Sequence, residues 1–84
     1  MFERVEGVQN LRLDRDGMLR WVCDGHATQA ATPAWALPCA ELIVSTPRWS
    51  IAVAHGLVGS DDVHFLNAWL LLLVKQGLLQ KPHP

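Results

Sequence analysis

The first third of the chain alternates apolar and polar positions in two short stretches separated by turn-forming residues. Apolar residues near 8–13 and 18–23 flank Asp14-Arg15-Asp16-Gly17, in which Asp and Gly favour a tight turn. Arg12 and Arg20 fall between apolar neighbours, as the solvent-facing side of a half-buried sheet requires. The pattern therefore predicts that the two stretches pair as a β-hairpin.

A second turn signal, Asp24-Gly25, follows the hairpin directly. The next five residues, 26–30, are rich in alanine and are compatible with a short third strand at one edge of the sheet. An edge strand leaves one row of main-chain N–H and C=O groups without partners. We therefore expect a three-stranded meander over 8–31, after an N-terminal segment, 1–7, that frays.

The second half of the chain carries helix signals instead. Pro38 can occupy the first turn of a helix over 38–45. Thr46-Pro47 can cap and open a second helix, which would end at Gly56 because glycine is common just past a helix end. Two short helices with a tight joint give a helix-turn-helix outline.

The last predicted helix begins after a cap at Ser60 or Asp61, runs to about Gln76 and stops at Gly77. Its apolar residues cover a wide arc of the helix: Phe65, Leu66, Trp69, Leu70, Leu72, Leu73 and Val74. A core-facing stripe accounts for only part of this arc. The remaining apolar surface predicts self-association, most simply as a two-fold homodimer.

The composition is that of one small folded domain. The 84 residues are 50% hydrophobic and 18% charged, which argues against disorder and leaves room for one core. We therefore expect a single α+β domain over 1–84, with an N-terminal three-stranded antiparallel β-meander. A three-helix, winged-helix-like bundle over 38–79 follows it, and 80–84 form a tail.

Charge and hydropathy disfavour two classes of partner. The net charge is −1, and the helical half holds only Arg48, Lys75 and Lys81 as cations, whereas binding to DNA needs a basic face. The longest unbroken apolar run, from Ala68 to Val74, is too short to cross a bilayer. Because no export signal opens the chain, we expect a cytoplasmic protein with no membrane partner.

The cysteines and histidines offer weak candidates for chemistry. Cys23 and His26 lie three apart across a turn, as half of a zinc ligand set would. The rest would come from Cys39, His55 or His64, yet no second close pair exists, so we expect no metal, with Cys23 and His26 left as the open case. Either cysteine could also pair with a histidine as a nucleophile, but nothing indicates an oxyanion loop or an orienting acid. We therefore expect neither catalysis nor a cofactor.

The four tryptophans are the more unusual feature of the composition. In a domain this small most indoles must serve the core, which we expect for Trp21, Trp49 and Trp69. Trp35 lies in a proline-flanked loop. We expect it to be exposed and to act as a binding anchor.

The order of two strands, a short strand and three helices resembles the PqqD-like peptide-recognition domains of peptide-modification pathways. The segments that carry the resemblance are Leu11-Arg12-Leu13, the Asp-Gly turns, 36–43, 61–66 and 75–79. The segment 46–56 departs from it, being rich in Trp and Ala where that family has an acidic helix. The same outline is also similar to the C-terminal winged-helix module of JmjC-type cupin oxygenases.

The PqqD-like resemblance implies a non-catalytic module in which a peptide docks as a strand beside the third strand and packs on the last helix. By position, that site would comprise Ala27, Thr28, Gln29, Ala30, Asn67, Leu71 and Lys75, to which the exposed anchor expected at Trp35 is added. An exposed strand edge suits such docking because it supplies main-chain hydrogen bonds. Two alternatives stay open: a small inhibitory or structural protein-interaction factor, and a DNA-binding winged-helix regulator.

Overall fold

The computed structural model describes residues 1–81. Within this range the strands are β1 (Phe2–Arg4), β2 (Gln9–Leu13), β3 (Met18–Cys23), β4 (His26–Ala31), β5 (Arg48–Trp49) and β6 (Leu79–Gln80). The helices are α1 (Leu37–Ser45), α2 (Ile51–His55) and α3 (Val63–Lys75). Short 3-10 turns, Ala34–Ala36 and Ser60–Asp62, lead into α1 and α3. The predicted α+β class, with a three-stranded antiparallel sheet followed by helices, is confirmed.

The meander is the sheet β2-β3-β4, and both of its turns follow from Asp and Gly. In the first, the Asp14 N–H donates to the Met18 carbonyl at 2.9 Å, and Gly17 takes a φ of 81°. In the second, Asp24 and Gly25 both have positive φ, 52° and 79°, as a type I′ hairpin turn requires. The turn chemistry expected from the sequence is therefore confirmed.

The two faces of the meander differ as the alternation predicts. Leu19 pairs with Ala30, and both side chains are buried on the face that packs against the helices. Arg12 pairs with Arg20 on the opposite, solvent-facing side. Trp21 lies on β3 with 1% of its surface exposed, so the meander contributes a large side chain to the core.

A second sheet, β5-β1-β6, joins the N-terminus to the helical half of the chain. β1 is its central strand and pairs antiparallel with β5 on one side and β6 on the other. Phe2 stacks on the buried Trp49 with ring centroids 5.3 Å apart. Residues Phe2–Arg4, which lie in the segment expected to fray, are thus part of the folded domain.

Two of the expected helix caps are wrong. The chain after Thr46 is extended and forms β5, so α2 starts later, where the Ser50 side chain accepts a hydrogen bond from the Val53 N–H. Neither Ser60 nor Asp61 caps α3, because both belong to the 3-10 turn that precedes it. The helices therefore form where expected, but tertiary contacts decide where two of them begin.

The C-terminus of α3 ends at the predicted glycine. Gly77 has a φ of 85°, and its N–H donates to the Val74 carbonyl at 3.1 Å. The Leu78 N–H donates to the Leu73 carbonyl at 3.0 Å, and both leucines are fully buried. This is the hydrogen-bond pair of a Schellman motif, and it turns the chain from α3 into β6.

The core is built from the inner face of the meander, the buried side of α1, one stripe of α3 and the second sheet. Leu66, Leu70 and Leu73 of α3 are fully buried, at the spacing of one helix face. Trp21, Trp49 and Trp69 are buried as expected. In the part of the chain that the structure describes, no helix is both long and apolar enough to cross a membrane.

Glu3 links all three strands of the second sheet. Its carboxylate accepts hydrogen bonds from Gln80 Nε2 at 2.9 Å and from Arg48 Nε and Nη2 at 3.2 and 2.9 Å. These bonds, first from Gln80 and then from Arg48, hold the pKa of Glu3 below its ordinary value. The ionised form is therefore favoured in the folded protein.

Replacing Gly77 by Ala should lower the free energy of unfolding by roughly 1–2 kcal/mol, since a left-handed conformation costs an L-residue about that much. Urea unfolding followed by tryptophan fluorescence would measure the loss. Gly56→Ala is the matched control, because Gly56 has a φ of −70° and an added Cβ there meets only ordinary contacts. Equal losses in the two variants would contradict the assigned cap.

Glu3→Gln should flatten the dependence of stability on acid pH. Because the pKa of Glu3 is lowered on folding, its contribution is present above the unfolded pKa and is lost as pH falls through the folded pKa. The wild type should therefore lose more unfolding free energy on acidification than the variant does. Glu41→Gln, on an exposed position of α1, should follow the wild-type curve, and a variant curve identical to the wild type would refute the link.

Candidate functional site

The outer edge of β4 is the most regular unpaired strand edge among residues 1–81. β4 pairs with β3 through six consecutive residue pairs, from Met18↔Ala31 to Cys23↔His26, without a bulge. The opposite edge strand, β2, has a shifted register between Gln9 and Arg12, with Asn10 at a φ of 57°. Since irregular edges resist pairing with other strands, β4 is the edge suited to accept one.

The alternation along β4 determines which main-chain groups point outward. Just beyond β4, the Thr32 N–H donates to the Gly17 carbonyl at 2.9 Å, so position 32 faces the β3 side. Odd-numbered residues therefore point their N–H and C=O away from β3. For Ala27 and Gln29, no residue within 1–81 supplies a main-chain partner on that side. Two donors and two acceptors are thus presented to an incoming strand.

The edge carries none of the side chains that usually block edge pairing. Natural edge strands are commonly protected by lysine, by proline or by inward-pointing charges. The sequence of β4, His-Ala-Thr-Gln-Ala-Ala, holds no Lys, Arg, Asp, Glu or Pro. Ala27 and Gln29 are both exposed, so neither is covered by the rest of the described chain.

Trp69 closes one end of this edge. Its indole Nε1 donates to the Ala31 carbonyl at 3.1 Å, which uses the third outward-pointing acceptor of β4. Trp35 packs edge-to-face on Trp69, with ring centroids 6.5 Å apart. Trp35 is half-buried. Its side chain therefore packs against Trp69 and is not the exposed binding anchor that the sequence predicted.

The side of α3 next to this closed end is apolar and exposed. Residues along a helix advance by about 100° each, which places Phe65 and Leu72 on the same side as Trp69. Phe65 is 57% exposed and Leu72 is 44% exposed. The sequence did not identify Phe65 and Leu72 as residues of the docking site, although the wide apolar arc of the helix is a signal that could have indicated them.

Five of the eight residues of the expected docking site line two separate depressions. Asn67 and Leu71 face away from the Trp69 side and line a groove of about 370 Å³ with Met1, Phe2, Ile51 and Lys81. Ala27, Thr28 and Gln29 line another, of about 180 Å³, with Arg12, Arg20, Trp21 and Val22. Ala30 is buried beside Leu19, and Lys75 is exposed near the end of α3. The strand half of the site is thus not joined to the expected helix half.

The thiols and imidazoles of residues 1–81 form no cluster larger than a pair. Cys23 and His26 form the last residue pair between β3 and β4, and no group of three His, Cys, Asp or Glu suited to a metal occurs within residues 1–81. Cys39 is fully buried and its Sγ lies 3.5 Å from the Ala54 carbonyl oxygen. Burial raises the pKa of the Cys39 thiol, which disfavours the thiolate that nucleophilic chemistry needs.

Comparison with models of known protein families, with curated proteins and with solved structures gives no match for this chain. The resemblances drawn from the sequence therefore remain expectations.

Trp69→Phe should destabilise the protein more than Trp49→Phe does. Both changes shrink a buried indole, but only Trp69 loses a hydrogen bond, since Trp49 Nε1 has no partner within residues 1–81. The difference in unfolding free energy should be about 1 kcal/mol, the typical net value of one such bond. Chemical denaturation of both variants measures it, and a larger loss for Trp49→Phe would contradict the role of Trp69.

Proposed function

We propose that this chain is a non-catalytic interaction module that binds an extended segment of a peptide or protein as an added strand beside β4. The observation that carries the proposal is the regular outer edge of β4, where Ala27 and Gln29 turn their main-chain groups outward. Strand addition of this kind uses main-chain hydrogen bonds for affinity and neighbouring side-chain contacts for selectivity. β4 and the Trp69 side of α3 offer both.

The limits of the edge define what could dock. Ala31 is already bonded to Trp69, so an incoming strand exchanges main-chain hydrogen bonds with Ala27 and Gln29 only. Four such bonds give modest affinity, because association costs several kcal/mol of lost freedom. Apolar contacts must therefore contribute, and Phe65 and Leu72 supply exposed apolar surface beside the closed end of the edge.

The charge distribution favours a protein partner over nucleic acid. Of the seven Lys and Arg residues, Arg12 and Arg20 form ion pairs with Asp14 and Asp16, and Arg48 pairs with Glu3. Arg4 donates to the carbonyls of Ile43 and Val44 at the end of α1. Few cations remain to neutralise phosphates, and neutralising phosphates provides most of the affinity for DNA.

Gln29→Pro should weaken docking without removing a main-chain hydrogen bond between β3 and β4. The side-chain bond from Arg20 Nε to Gln29 Oε1, at 3.3 Å, is lost in this variant and in its control alike. The Gln29 N–H points outward, so proline deletes a donor of the free edge alone, a placement that edge strands tolerate. The expected loss is roughly tenfold in affinity, the factor that corresponds to one hydrogen bond of ~1.4 kcal/mol. Gln29→Ala keeps the N–H and is the matched control.

The probe is a phage-displayed library of random peptides selected on the immobilised wild-type protein. Selected peptides are synthesised and titrated against wild type, Gln29→Pro and Gln29→Ala, with amide signals followed by NMR. Peptides that bind wild type and Gln29→Ala alike, lose affinity for Gln29→Pro and shift the Ala27 and Gln29 amides support the proposal. It is overturned if no selected peptide distinguishes the two variants, or if shifts are confined to the groove of Asn67 and Leu71.

A further inference from the structure

The edge of β4 is complementary to itself. In an antiparallel pair, residues that point outward from one strand exchange hydrogen bonds with residues that point outward from the other. Ala27 and Gln29 are the outward-pointing residues of β4 whose main-chain groups are free. As a pair, they could therefore bond to the corresponding pair of residues in the β4 strand of another copy. We propose that in the isolated protein the strand beside β4 is β4 of a second copy, which joins two three-stranded sheets into one across a two-fold axis. This inference rests on the proposed docking role of β4.

One register of such a pair uses every free group. With Thr28 on the two-fold axis, Ala27 lies opposite the partner's Gln29, and Gln29 lies opposite the partner's Ala27. Each pair exchanges two main-chain hydrogen bonds. A register shifted toward Ala31 would need a carbonyl that Trp69 already holds. A register shifted the other way would pair Gln29 with Gly25 of the turn, where β4 has not yet begun.

In this register the partner strand ends where the free edge of β4 ends. Opposite Ala31 comes the partner's Gly25, which lies in the turn that carries its chain back to β3. The partner strand therefore leaves the edge at the point where the Trp69 indole closes it. The partner's turn then lies against the side of α3 that carries the exposed Phe65 and Leu72.

The side chains also permit two identical strands to meet. A two-fold axis brings like residues close together, so a charged residue near the axis would repel its own copy. Around Thr28, the side chains of Ala27, Gln29 and Ala30 are uncharged. The net charge of the chain is only −1, so the two copies repel each other weakly at long range.

A pair of charge-swapped variants tests this interface. Ala27 and Gln29 are exposed in a single chain, so a double change to lysine, Ala27→Lys with Gln29→Lys, leaves the core untouched. In the proposed register it places lysine opposite lysine. The double change to glutamate, Ala27→Glu with Gln29→Glu, likewise places glutamate opposite glutamate. An equimolar mixture of the two proteins places lysine opposite glutamate.

Sedimentation equilibrium over increasing protein concentration gives the readout. The wild-type mass should rise from the 9.3 kDa of one chain toward twice that value. Each charged variant should stay at the single-chain mass, and their mixture should recover the dimer. The inference is overturned if the wild type stays at the single-chain mass throughout, or if the charged variants associate as the wild type does.

Leu71→Glu is the control for a dimer through the other apolar surface. Leu71 is 49% exposed in the groove between α2 and α3, away from β4, so the variant should still dimerise. Loss of the dimer in Leu71→Glu with retention in the charged β4 variants would place the interface in that groove and overturn the inference. A single-chain wild type that still binds peptides in a Gln29→Pro-sensitive manner would overturn the dimer alone and leave the docking function standing.

Discussion

The contact between Trp69 and Ala31 is the interaction on which the arrangement of this protein depends. It joins α3, the last helix, to the last strand of the meander through an indole N–H and a strand carbonyl, 38 residues apart in sequence. Trp35 packs against the same indole from the segment that connects the two halves. Because the Trp69 indole combines burial against apolar neighbours with a directional hydrogen bond to the Ala31 carbonyl, this contact fixes α3 relative to β4.

The two edges of the meander also differ. At β2, the register break and the left-handed Asn10 disrupt the edge. At β4, Trp69 occupies one end and leaves a short, regular and uncharged edge beside an apolar helix side. The same group that stabilises the fold therefore limits the length of any strand that could pair there. A peptide partner and a second copy of the chain would compete for the same four main-chain hydrogen bonds of β4, so peptide binding and self-association would be linked.

Much of the fold could be predicted from local chemistry. Turns that need positive φ require Asp, Asn or Gly, so 14–17 and Asp24-Gly25 indicated the meander. Gly77 indicated the end of α3 for the same reason. The sheet β5-β1-β6 was not predictable, because its outer strands have two residues each, too few to show an alternation of apolar and polar positions. β1 is a strand only because both partners, distant in sequence, meet it.

The candidate site, like the fold, has some features that the sequence indicates and others that depend on tertiary packing. By itself the sequence determined that 26–30 carries no Lys, Arg, Asp or Glu, and it indicated a short edge strand there. It also determined that α3 carries more apolar surface than one core stripe needs. Only the tertiary structure decided which side of α3 lies next to β4: the side of Trp69, Phe65 and Leu72. The physical reason is that helical periodicity gives the angles between side chains on one helix, whereas the direction of each side depends on packing against elements far away in the chain.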